Sequence, residues 1–80
     1  MTKIIKLEQP NCKNCGNVAL FLENNGIEFD TYDVTKHPDK AVKYNIMSVP
    51  VTILEDNEGN ELQRSIGYNP AELEEMISKL

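Results

Sequence analysis

The sequence predicts an α/β fold, a four-stranded mixed sheet with three helices in the order β-α-β-α-β-β-α. Three observations lead to it. A short β-branched run, Lys3 to Leu7, stops at Pro10-Asn11 and gives way to a stretch with helical spacing. Two later strand-like runs flank Glu55-Asp56-Asn57-Glu58-Gly59-Asn60, a hairpin loop whose glycine suits the left-handed position. The chain then closes on a marked helix: Asn69 can cap it, Pro70 fits its first position, and Glu72 follows the cap by three, as in a capping box. At 80 residues the chain has room for one domain, 1–80, near the size where one core only marginally suffices.

Taken in order, Lys3 to Leu7 reads as a strand and Lys13 to Asn25 as a helix. In that helix Cys15, Val18, Ala19 and Leu22 recur at helical spacing, and Leu20 and Phe21 widen the stripe to more than one side. Gly26 suits the position just past the helix end. Ile27 to Val34 is strand-like, with an alternation that slips between Phe29 and Tyr32. Thr35 to Asn45 reads as a second helix with Pro38 in its first turn, and Val51 to Leu54 as a short apolar strand. Glu61 to Ile66 is the returning strand, and Leu73, Met76, Ile77 and Leu80 form the apolar stripe of the last helix. The opening strand–helix–strand unit implies parallel pairing through a right-handed crossover. The hairpin adds an antiparallel strand, and helices cover both faces.

Composition narrows the function. Apolar residues make 40% and charged residues 26%, ordinary for a globular fold. The net charge of −5 and the lack of any Lys/Arg cluster exclude a nucleic-acid footprint. The apolar start is too short for a signal peptide and Lys6 interrupts it; no run approaches a membrane span of about 18 residues. The expectation is a cytoplasmic monomer, in a compartment where a cysteine pair is more often catalytic or metal-binding than structural.

Cys12 and Cys15, the chain's two cysteines, fall where the first strand gives way to the first helix. Unpaired N–H groups and the positive end of the helix dipole stabilise a thiolate at Cys12, and Lys13 adds a positive charge as an electrostatic helper. Cys15 lies almost a turn further in and keeps its proton longer. That asymmetry suits two-step exchange: Cys12 attacks a substrate disulfide, and Cys15 resolves the mixed disulfide, leaving a redox-active Cys12–Cys15 bridge. Other uses of the pair remain. Zinc needs about four ligands, and His37 is the lone histidine. A dimer could share four thiolates around zinc or an iron–sulfur cluster, and a third class is a non-catalytic adaptor with a redox-sensing disulfide. His37 reads as exposed and without a catalytic role, Tyr44 and Met47 as core or rim, and Glu72, Glu74 and Glu75 as a solvated face.

The Cys-X-X-Cys at a strand–helix junction resembles the thioredoxin fold. The length, with no preceding strand and helix, resembles its compact branch, the glutaredoxins and glutaredoxin-like redoxins. Met47-Ser48-Val49-Pro50-Val51 is similar to that family's Val-Pro turn, so the resemblance implies a cis Pro50 facing the cysteines and a Val49 backbone open to a peptide or glutathione strand. Gly67-Tyr68-Asn69-Pro70 is similar to the Gly-aromatic-X-Pro stretch of redoxins that serve ribonucleotide reductase and are recharged by thioredoxin reductase. Gln9 and Asn69 stand where many glutaredoxins carry the charges that hold glutathione, and Lys13-Asn14 matches neither branch's active dipeptide. The resemblance thus implies a dithiol–disulfide oxidoreductase, a redox carrier with Val49, Pro50, Gly67 and Tyr68 shaping the substrate groove. It implies no bound cofactor and no metal. Electrons come from NADPH indirectly, through thioredoxin reductase ahead of glutathione.

Overall fold

The computed structural model describes residues 2–80. Its elements are β1 (Thr2–Glu8), α1 (Lys13–Asn24), β2 (Phe29–Asp33), α2 (Pro38–Lys43), β3 (Val51–Asp56), β4 (Glu61–Ile66) and α3 (Pro70–Ile77). The strands form one sheet in the order β2-β1-β3-β4. The β1/β2 pair is parallel, while β1/β3 and β3/β4 are antiparallel. This is the α/β, four-stranded mixed sheet with three helices that the pattern predicted.

Central β1 is covered on both sides, which is why its interior is apolar at nearly every position. By strand alternation, Ile4 faces one cluster, with Val18 and Leu22 of α1, Leu54 of β3, and Leu73 and Met76 of α3. Ile5 and Leu7 face the other, with Val51, Ile53 and Tyr44.

Several boundaries moved. The second strand runs only over Phe29–Asp33, the part that pairs with β1. The second helix, expected over Thr35 to Asn45, is six residues long. Asp33 holds the preceding turn: its side chain accepts from Thr35 N and Oγ1, and its carbonyl accepts from Lys36 N and His37 N. Asn45, with φ +52°, takes the backbone out of the helix. The third strand continues beyond Leu54 to Asp56, because Glu55 and Asp56 still pair with Lys3 and Thr2. Glu55, expected in the hairpin loop, is therefore buried, where it accepts a hydrogen bond from Tyr44 Oη.

Some apolar residues of the predicted stripes stay in solvent. Leu20 is exposed beside a partly buried Phe21, and Leu80, beyond the end of α3, is exposed as well. Glu72 is not simply solvated. Its Oε1 accepts from Ser65 Oγ at 2.8 Å, so only the Asn69 half of the capping box forms, with Asn69 Oδ1 accepting from Glu72 N at 3.2 Å.

Candidate active site

Past Glu8 the chain turns through Gln9, Pro10 and Asn11, and Asn11 adopts φ +61°. Asn tolerates that conformation better than most side chains. The turn delivers Cys12 as the N-cap of α1, with extended backbone (φ −112°, ψ 105°). Its Sγ accepts from Cys15 N at 3.1 Å. Cys12 carbonyl accepts the first helical bond, from Gly16 N at 3.4 Å. No acidic residue lies in the first turn to oppose a negative charge. Cys12 and Cys15 are joined in a disulfide, their Cα atoms 5.3 Å apart. Cys12 is half-buried, whereas Cys15 is 3% exposed. The accessible sulfur is thus at the helix start and the recessed one against the core.

The register of the sheet gathers other predicted residues at this end. Leu7 pairs with Val51, and Val51 with Ile66. The end of β1, the start of β3 and the end of β4 are therefore neighbours. Val49-Pro50 precedes β3, its peptide bond is cis as the resemblance implied, and Pro50 is buried. Gly67 follows β4 and its N–H donates to Pro50 O at 2.8 Å. Gly67 has φ +77°, a conformation that costs a side chain but not glycine. Tyr68 is exposed and packs edge-on against Phe21 of α1, ring centroids 6.4 Å apart. Lys13 is exposed in the first turn of α1 and makes no ion pair among the described residues.

On the other side of Val49 a shallow groove is lined by Gln9, Val34, Ala41, Ile46, Met47 and Val49. Met47 is a rim residue, 89% exposed, while Tyr44 belongs to the core. His37 is exposed and packs edge-on against Tyr32, away from the sulfurs in sequence and on the N-cap of α2.

Sequence reasoning missed one charged group. Lys6 is buried, and its Nζ donates to Cys15 O at 3.1 Å and lies 2.7 Å from Glu8 Oε1. The signal was present: Lys6 is in phase with Ile4 on a strand whose neighbouring residues are apolar, so alternation turns it inward.

A βαβ start, an antiparallel hairpin, a helix-capping Cys-X-X-Cys disulfide and a cis proline just before the strand that pairs with β1 define a dithiol protein of thioredoxin-like fold. The comparisons agree. The sequence pattern of the family described as "Thioredoxin domain" matches residues 3–77, and the chain belongs to that family. It is 47% identical over 78 residues to the SPbeta prophage-derived thioredoxin-like protein YosR of Bacillus subtilis, covering 98% of each chain. It is 31% identical to the thioredoxin of the same organism, over 88% of this chain and 73% of that one. Among solved structures, reduced thioredoxin pre-protein of Schistosoma mansoni superposes with a TM-score of 0.83 at 30% identity, over 98% of this chain and 77% of that one.

Proposed function

We propose that the protein is a small dithiol–disulfide oxidoreductase, with Cys12 as nucleophile and Cys15 as resolving thiol. The observation that carries the assignment is the asymmetry of the pair. Cys12 caps α1, accepts a backbone N–H and is half-buried; Cys15 is buried one turn in. A sulfur that already accepts a helix N–H is set to hold negative charge, and the thiolate is the attacking species.

In the reaction, Cys12 thiolate attacks one sulfur of a substrate disulfide. The Cys12–substrate bond forms, and the substrate's own S–S bond breaks. The departing thiolate takes a proton. Cys15 then loses its proton and attacks Cys12 Sγ, forming the internal bridge and releasing the second substrate thiol. Substrate disulfide and protein dithiol become substrate dithiol and protein disulfide, with no further reagent.

Lys13 supports the thiolate through charge. Val49 presents backbone to an extended peptide strand, with Pro50, Gly67 and Tyr68 shaping that groove. The recharging partner on this reading is a thioredoxin reductase drawing on NADPH. Gln9 offers glutathione's carboxylates no cation, and Asn69 offers its ammonium no anion. The relatives compared above are named thioredoxin or thioredoxin-like, and the affinity to redoxins recharged by thioredoxin reductase rests on the Gly67-Tyr68-Asn69-Pro70 run of this chain. Disulfide-bearing proteins are the substrate class, in the cytoplasm, with ribonucleotide reductase the candidate that this run suggests.

Serine variants test the roles. Cys15→Ser should attack but not resolve, and should accumulate a mixed disulfide with a disulfide-bonded protein substrate on a non-reducing gel. Cys12→Ser should trap nothing and lose all reductase activity. Trapping by Cys12→Ser alone would mean the wrong sulfur was chosen. A metal or cluster shared in a dimer would instead be lost equally in both variants, with its absorbance.

A further inference from the structure

Lys6 has no part in the exchange just described, yet its placement is demanding. A lysine ammonium is almost never buried without partners. Lys6 is 3% exposed, on the face of β1 that carries Ile4. Among the described residues no other lysine or arginine is buried. Its hydrogen bond goes to the carbonyl of the recessed cysteine, Cys15, at 3.1 Å.

Polar groups continue from it across an otherwise apolar face. Thr52 of β3 pairs with Lys6, and Ser65 of β4 pairs with Thr52. Directly paired residues of antiparallel strands share a face. Both Thr52 and Ser65 are fully buried. Ser65 passes its hydrogen bond to Glu72, whereas Thr52 Oγ1 has no partner among the described residues. A buried hydroxyl left unpaired is unfavourable, and it marks polar capacity beside Lys6 that the disulfide form does not use.

We propose that Lys6, at the head of this polar row, is a positioning residue that holds a fixed positive charge behind Cys15 and biases the Cys12–Cys15 couple toward its reduced, thiolate-bearing form. The inference rests on the dithiol reading above. The disulfide is neutral, so Lys6 gains little from it. Reduction by an incoming dithiol breaks the Cys12–Cys15 bond and moves two electrons onto the pair, while the donor becomes a disulfide. One donor proton goes to one sulfur of the pair and the other to solvent, which leaves a thiolate. Only that state places a negative charge near Lys6, in an interior where charges act strongly.

The charges that face it are few. Glu8, on its own strand, is 2.7 Å away with its side chain 32% exposed, so water screens its field on the sulfurs more than that of the buried ammonium. From α3, Glu72 stands beyond Ser65. From α1 come the cysteines, with Lys13 exposed at the helix start. The β3 neighbour, Thr52, is neutral, and β2 brings the Phe29 ring, 5.8 Å from Nζ.

Two variants separate charge from hydrogen bonding: Lys6→Met removes both, while Lys6→Gln removes the charge and keeps a donor for the carbonyl. Thiolate absorbance of the reduced proteins is followed against pH, and each is equilibrated with a glutathione redox buffer. In both variants the nucleophilic thiol should titrate about one unit higher. The equilibrium should move toward the disulfide by a factor that grows with pH, reaching about tenfold, or about 30 mV, above the titration. A folded Lys6→Gln with unchanged titration and equilibrium would reduce Lys6 to a structural donor and overturn the proposal. If circular dichroism shows both variants unfolded, the unmodified protein decides. With 15N-lysine labelling, the Lys6 ammonium resonance should move with the thiolate titration of the reduced form, and a resonance blind to it overturns the proposal equally. Failure of the unmodified protein to exchange with any disulfide would sink the dithiol reading itself. Normal exchange beside unshifted variants would sink only the role of Lys6.

Discussion

At Cys12 a sulfur replaces the oxygen that usually caps a helix, and accepts Cys15 N–H at 3.1 Å. Once reduced, it should titrate below the free-cysteine value of about 8.5. Thiolate absorbance in Cys15→Ser measures this directly, and a value at or above the free one would remove the electrostatic argument. Gln9 borders the groove beside Val49. Gln9→Arg should raise turnover with glutathione, by supplying the missing cation for a carboxylate, while thioredoxin-reductase turnover changes little. No gain with glutathione would show that Gln9 does not face that ligand. Tyr44 and Glu55 form another buried polar contact, on the face of β3 that carries Ile53. Burial, then the Glu55 hydrogen bond, pushes the Tyr44 phenol well above its ordinary range. Tyr44→Phe leaves a buried carboxylate with only Lys3 and Lys43, at 3.9 and 4.0 Å. It should cost about 1–3 kcal/mol in urea unfolding.

Among the elements, α3 shows how a cap is divided between two tasks. Asn69 caps the helix, but Glu72 turns to the buried Ser65 hydroxyl instead of back to the cap. The buried hydroxyl has a stronger need of an acceptor than a solvent-facing N–H has. Asn69→Ala should therefore destabilise the fold by about 1 kcal/mol, the value of one lost cap. The Cys12 titration should stay put, since the Asn69 side chain is spent on the N–H of Glu72 within its own helix turn. A titration that moved with this variant would tie the helix to the sulfurs. The short α2 follows the same logic of local competition. Asp33 takes up the N–H groups of Thr35, Lys36 and His37, so the residues read as helix become a turn, and the helix waits for Pro38.

For the whole molecule, charge sets a pH window of stability. Thr35 hydrogen bonds hold Asp33 low, Asn60 and its neighbours hold Asp56 low, and Arg64 holds Glu61 low. Their folded values lie below the unfolded ones of about 3.9 for Asp and 4.3 for Glu. Their stabilisation is present above those values and fades as pH falls through the folded ones. Tyr44 has the opposite sign: its contribution is full below about pH 10 and is lost as pH rises further. The urea midpoint should thus be level from about pH 5 to 9 and fall on both sides. Asp56→Asn should flatten the acid limb, and a midpoint that rises on acidification would reverse the assigned signs.

Local chemistry determined much of this protein from its sequence. Period-two and period-3.6 patterning set the order of seven elements. Asn69-Pro70 set the start of α3, and the Cys12–Cys15 spacing at a strand–helix junction set the site. These features need only neighbours within a turn or a strand. Element ends were less legible, because side chains such as Asp33 compete for backbone N–H groups and the outcome depends on pairing elsewhere. Register lay beyond the sequence altogether. The pairing of β1 with β3 and of β3 with β4 decides that Lys6, Thr52 and Ser65 form one buried row, and that Pro50 and Gly67 meet beside the end of β1. Lys6 and Thr52, 46 positions apart, and Thr52 and Ser65, 13 apart, meet there through backbone ladders, and no local pattern encodes which rung faces which. Burial is likewise a property of the packed sheet, which is why Lys6 looks like an interruption in the chain and becomes a buried charge behind Cys15 in the fold.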